Sequence, residues 1–145
     1  MDRFIRRFQP LVGFLVLAAA GCGAETYPLA PVSGRVTLDK VPLADARVGF
    51  EPIRQGDGIN AGPGSYGTTD AEGRYRLVSL EGDEGAVVGP HRVWVRTYRA
   101  VEGPNGSIVT RTPERVPARY NSQTELTFTV RPEGTGGADF DLRTR

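Results

Sequence analysis

Cysteine, lysine, histidine, methionine and tryptophan each occur once in this chain. A single cysteine excludes an intrachain disulfide, so the fold has to stand on its apolar core. One histidine and no cysteine pair exclude the usual zinc spacings. The single lysine, Lys40, lies in a polar turn, whereas an isopeptide cross-link of the kind found in surface adhesins needs a lysine buried beside a carboxyl. No apolar run approaches the roughly 20 residues that cross a bilayer as a helix. Basic excess is also missing: net charge is +1, and −1 once Asp2 and the three arginines before residue 8 are set aside. That balance argues against a nucleic-acid partner, which calls for clustered Lys and Arg. No nucleophile–base pair, phosphate-cradling glycine loop or metal-ligand cluster is legible, so no catalytic residue, cofactor or metal is expected.

The N-terminus is a different material from the rest. Arg3, Arg6 and Arg7 precede an uncharged stretch over residues 11–20, which ends in small residues. Charged start, short apolar middle and small end describe a secretory signal. The stretch LAAAGC, residues 17–22, resembles the bacterial lipoprotein signal, with Ala19 where leucine is usual. Cys22 is therefore the expected lipidation site, and residues 1–21 the expected leader. Two or three acyl chains on Cys22 would anchor stably where one holds only marginally. The alternative is signal-peptidase cleavage near Ala20, which would release a periplasmic or secreted domain. Residues 22–31 read as a tether and 32–145 as one domain.

From residue 32 onward apolar and polar residues alternate, the period of half-buried strands. The expected inward sets are Val32, Gly34, Val36 and Leu38, then Ala44, Ala46, Val48 and Phe50. Asp45, Arg47 and Glu51 then face outward. Tyr75 and Leu77, Val93 and Val95, Leu126, Phe128 and Val130, and finally Phe140 and Leu142 continue the pattern. No helical period competes with it, and glycine and proline punctuate the strands as turns require. The fold expected is all-β: an Ig-like or transthyretin-like antiparallel β-sandwich of about seven strands.

Two turns carry a family signature. SGRVTLDKVPLADARVGF followed by GTTDAEGRYRL resembles the carboxypeptidase regulatory-like domain, a transthyretin-like sandwich, at Gly34, Val36, Pro42, Leu43, Ala46 and Val48, then Thr69, Asp70, Gly73, Tyr75 and Leu77. Asp70 is placed to accept backbone N–H groups across its turn, and Gly73 to supply a positive φ. The family's first hairpin usually has a glycine. Here Asp39-Lys40-Val41-Pro42 lacks it, so Asp39 or Lys40 has to turn left-handed, or the turn type has to change. GPHRVWV and PARYNSQTELTFTV are similar to the second half of small lipoproteins of planctomycete bacteria. The resemblance implies a binding or structural module rather than an enzyme.

Among residues that bear chemistry, His91 has no partner in any motif and reads as structural or solvent-exposed. Asp57 and Asn60 sit in a glycine-rich loop that lacks the spaced acids of a calcium site. Glu81, Asp83 and Glu84 read as a solvated hairpin tip, and Tyr120-Asn121 as a structural corner. One surface stands out. With Val93 and Val95 inward, the other face of that strand presents Arg92, Trp94, Arg96 and Tyr98, a guanidinium–aromatic ladder suited to sugar rings or cation–π contacts. The competing reading covers Trp94 and Tyr98 with residues 100–118 and stacks the arginines on them. The function expected is a non-catalytic, lipid-anchored extracytoplasmic module of the cell envelope that binds an envelope protein or polysaccharide. A lectin-like domain using Arg92, Trp94, Arg96 and Tyr98, or an accessory domain of an envelope enzyme, is the alternative.

Overall fold

The computed structural model describes residues 26–58 and 60–145. The expected leader, Cys22 and the first part of the expected tether lie outside the described residues. The elements, in chain order, are β1 (Leu29–Ala30), β2 (Ser33–Leu38), β3 (Val41–Pro42), β4 (Arg47–Pro52), β5 (Ser65–Thr68), β6 (Arg74–Arg76), β7 (Val78–Ser79), β8 (Ala86–Val87), β9 (Gly89–Arg96), β10 (Arg99–Glu102), β11 (Ile108–Thr112), β12 (Thr127–Val130) and β13 (Phe140–Leu142), with single 3-10 turns at Pro104–Gly106 and Ala118–Tyr120. The all-β reading holds.

Two sheets share one core. The larger runs β12-β9-β4-β5-β7; the smaller is built on β2, which pairs with β13 on one side and with β3 and β6 on the other. Alternation sends Val48 and Phe50 of β4, Val93 and Val95 of β9, and Val130 of β12 inward, where each is no more than 1% exposed. The smaller sheet contributes Val36, Tyr75 and Leu142 to the same cluster. Phe50 lies at its centre, edge-on to Phe128 at 5.7 Å and to Phe140 at 6.1 Å between ring centroids. Burying such rings stabilises by about 1.5–3 kcal/mol each, which is the force holding a disulfide-free sandwich closed.

The Tyr75 hydroxyl donates to the Ala138 carbonyl at 2.6 Å, and burial pushes that phenol's pKa up. Gly34 permits the close approach: a Cβ there would stand 1.9 Å from the Ala138 oxygen. Leu38, Leu126 and Phe128 are only partly buried but pack on the core, and Ala44 sits half-buried in the turn before β4.

Two expectations need correction. The sandwich is not antiparallel throughout: β13 runs parallel to β2, with Phe140 opposite Val36 and Leu142 opposite Leu38. The chain reaches that position by crossing from β12 along residues 131–139, held where Ser33 donates to the Thr135 carbonyl and Ala138 to the Ser33 carbonyl. The tether, moreover, ends before residue 31. Leu29 and Ala30 pair with Val87 and Ala86, and Ala30 is 1% exposed.

The two signature turns are explicit. The Asp70 carboxylate accepts the N–H groups of Glu72 and Arg74 at 3.0 and 2.8 Å, and Gly73 has φ +76°. In the β2–β3 hairpin Asp39 and Lys40 both turn left-handed, at φ 50° and 67°. Asp39 is held there by Thr144, whose N–H and hydroxyl donate to its carboxylate at 3.0 and 2.7 Å.

Candidate functional site

The outer face of the larger sheet follows from register. Gly49 of β4 lies opposite Trp94 of β9 on one side and Tyr66 of β5 on the other. A glycine in a central strand leaves a bare patch of backbone, and an aromatic neighbour covers it. Trp94 does so closely: a Cβ on Gly49 would stand 2.1 Å from the indole. The indole N–H donates to the Glu51 carboxylate at 2.9 Å, and the Arg96 guanidinium lies 4.1 Å from the indole centroid. Trp94 is thus half-buried, pinned beneath by Gly49, at its edge by Glu51 and above by Arg96. The Arg96 stack is the arginine contact of the competing reading.

A second stack lies beside the first. Arg47 sits 4.4 Å from the centroid of Tyr66. Arg47 and Arg96 are register partners on β4 and β9, so two guanidiniums occupy neighbouring positions on one face. Like charges directly opposite on a sheet repel; each here is turned over an aromatic face that attracts it. Among the described residues neither forms an ion pair.

Beyond the end of β9 the chain leaves the sheet through Thr97 and Tyr98 into the β10–β11 hairpin. Glu114 fixes that exit. Its Oε1 accepts the Thr97 N–H, the Thr97 hydroxyl and the Val116 N–H, each at 2.9 Å. Desolvation works to raise the pKa of Glu114, but these donors together hold it below the usual carboxylate value. The exit leaves a cleft of about 270 Å³ lined by Asp45, Arg47, Thr68, Arg96, Tyr98 and Arg99, among others. Tyr98 is 49% exposed.

Of the expected ladder, Arg92, Trp94 and Arg96 share the sheet face, while Tyr98 stands past the strand end in the cleft. Arg92 is exposed opposite Glu51 and Thr127. Arg47 and Tyr66 join them: alternation turns Arg47 outward, but only register brings it beside Arg96 and Tyr66 beside Gly49. The Glu114 clamp on Thr97 has no signal in the sequence.

His91 is buried; its Nδ1 lies 3.0 Å from the Gly89 carbonyl, and its Nε2 has no partner. Desolvation lowers its pKa against that hydrogen bond, so it is a neutral core ring packed on Phe50. Glu84 pairs with Arg76 at 3.6 Å. No group of three metal-ligating side chains occurs among the described residues. Asn121 Nδ2 donates to the Val116 carbonyl, the corner expected. A larger groove, of about 590 Å³, runs past Arg35, Arg74 and Arg76. Arg74 there pairs with Asp70 and Glu72 and Arg76 with Glu84, while Arg35 donates to the Glu72 carbonyl.

No family model matches the chain, and no curated protein matches it. Among solved structures, a crystal structure of a 9R-lipoxygenase from Cyanothece PCC8801 superposes with a TM-score of 0.39 at 13% identity over 80% of this chain. This chain spans 16% of that protein's length, and so distant a likeness carries no functional argument.

Proposed function

We propose that this protein is a non-catalytic binding module of the cell envelope, anchored through lipid on Cys22 and presenting the outer face of its larger sheet to a ligand. The observation that carries the reading is the pair of cross-strand arginines, Arg47 and Arg96, left without carboxylate partners among the described residues. Both lie over aromatic rings at the mouth of a cleft. A surface kept only for solubility gains nothing from two aligned cations that repel one another. The carboxypeptidase regulatory-like identity belongs to the same proposal, supported by the Asp70–Gly73 turn and its capping geometry.

The anchor is tested by the intact mass of the full chain made in a bacterial host. Loss of residues 1–21 with added acyl chains, both absent in Cys22→Ser, is the expected result. An unmodified mass starting near Gly21 or Cys22 removes the anchor. The binding role is tested by sedimentation of the detergent-solubilised protein with insoluble envelope material. Retention that falls with Arg47→Gln and Arg96→Gln supports it; retention that ignores both, or none at all, ends it.

A further inference from the structure

We infer that the cleft at the end of β9 is a binding site for a carboxylate-bearing saccharide, a sugar ring of the uronate type. The inference rests on the binding-module reading and adds the ligand class. Trp94 is the residue a lectin reading would use as a stacking platform, yet Arg96 and Gly49 already occupy its two faces. Tyr66, on the wall of the cleft, has Arg47 stacked on it. What remains free on this surface is charge, hydroxyl groups and one ring, and these meet in the cleft.

Arg47 and Arg96 sit side by side in register, and Arg99 lines the same cleft. Guanidinium forks match a carboxylate in a planar, two-pronged geometry. Asp45 lies among them, held at φ 55° by the turn that enters β4. An acid in a basic cleft disfavours a densely charged ligand: a phosphate, a polyphosphate chain or an acidic peptide would meet it as a like charge. It suits a ligand whose remaining groups are hydroxyl donors, since a carboxylate accepts them. Thr68 adds an exposed hydroxyl on the other side. Tyr98, 49% exposed, offers the apolar ring on which the C–H face of a sugar packs. One carboxylate, several hydroxyls and an apolar face are together the description of a uronic acid. At about 270 Å³ the cleft has room for a single ring, just under the lower end of drug-sized pockets, about 300 Å³.

The test uses the full chain in detergent and the emission of Trp94, which Arg96 touches. The probes are a trisaccharide of one terminal galacturonate and two neutral sugars, its methyl ester, a short glutamate oligomer and inorganic phosphate. Saturable binding of the trisaccharide is expected, at least tenfold tighter than the ester, the glutamate oligomer or phosphate, and weakening with salt. Arg47→Gln and Arg96→Gln should each lower the affinity at least tenfold, while Arg76→Gln in the other groove leaves it unchanged. Asp45→Asn discriminates further. Asparagine tolerates the left-handed backbone, so the fold is kept; trisaccharide affinity should fall severalfold and that for the glutamate oligomer should rise. Equal binding of the ester, or equal or tighter binding of the glutamate oligomer or phosphate, overturns the ligand class. So does the absence of trisaccharide binding. If envelope sedimentation still depends on Arg47 and Arg96 in any of those cases, the binding-module reading survives and only the uronate assignment falls. If sedimentation fails as well, both fall together.

Discussion

Lys40 occupies a backbone conformation, φ 67°, that a residue with a Cβ adopts at a cost. The neighbouring Asp39 is compensated by its two bonds from Thr144; Lys40 has no such hold. Replacing it with glycine removes the Cβ strain and returns some of the gain as unfolded-state entropy. Lys40→Gly should therefore stabilise by about 0.5–1 kcal/mol, read as a higher denaturation midpoint with an unchanged slope. Asp39→Gly should not, because it also deletes the Thr144 contacts. Gly49 carries the opposite expectation. A methyl group there meets the Trp94 ring at 2.1 Å, and the ring is held from above by Arg96. Gly49→Ala should lift the indole off the sheet, shifting the emission of the chain's one tryptophan to the red. Overpacking of this kind costs about 1–3 kcal/mol. An unmoved spectrum would mean that Trp94 is not seated on Gly49.

At the scale of elements, the β10–β11 hairpin stands on the Glu114 clamp. Its own strands are almost wholly exposed, so little apolar burial holds it to the sandwich. Glu114→Ala leaves the buried Thr97 N–H without its acceptor, a loss of about 1–3 kcal/mol. Amide exchange at Thr97 and through residues 99–112 should accelerate in that variant while β4 and β9 stay protected; uniform acceleration would show the clamp to be global instead. The hairpin also marks where sequence reasoning stops. Alternation found β2, β4, β9, β12 and β13 because each buries one face, and period two is then forced on the residues. The β10–β11 strands bury neither face and carry no such pattern, so 100–118 read as cover. Leu29–Ala30 was hidden between two prolines, and the parallel β13–β2 pair depends on where the crossover lands. The same limit applies to the site. Arg92, Trp94 and Arg96 are visible within one strand, but Arg47 reaches Arg96 only through cross-strand register, and Asp45 joins them only through the turn before β4.

For the whole molecule, acid should act in two windows with the same sign. His91 is buried neutral, its folded pKa below the usual 6.5. Below pH 6.5 the unfolded chain takes up a proton that the folded ring resists, so stability falls as pH drops, by at most about 1.4 kcal/mol per pH unit for one proton. The fall from this ring stops once pH passes its folded pKa. Glu114 has its folded pKa below the usual 4.5; the stability it contributes is present above 4.5 and is lost as pH falls through the folded value. Asp39 and Asp70, held low chiefly by donors from Thr144 and Arg74, act in the same direction at still lower pH. The windows are separable because their groups are. His91→Phe places a similar ring against Phe50 and Phe128 and removes the unpaired Nε2, at the loss of the hydrogen bond to the Gly89 carbonyl. Its melting temperature should be nearly flat from pH 6.5 to 5, where the parent declines, and should then fall with the parent below 4.5. A parent curve already flat above pH 5 would show that His91 is charged in the fold, contradicting a ring buried with no partner on Nε2. A variant that keeps the upper decline would place that decline on some other group.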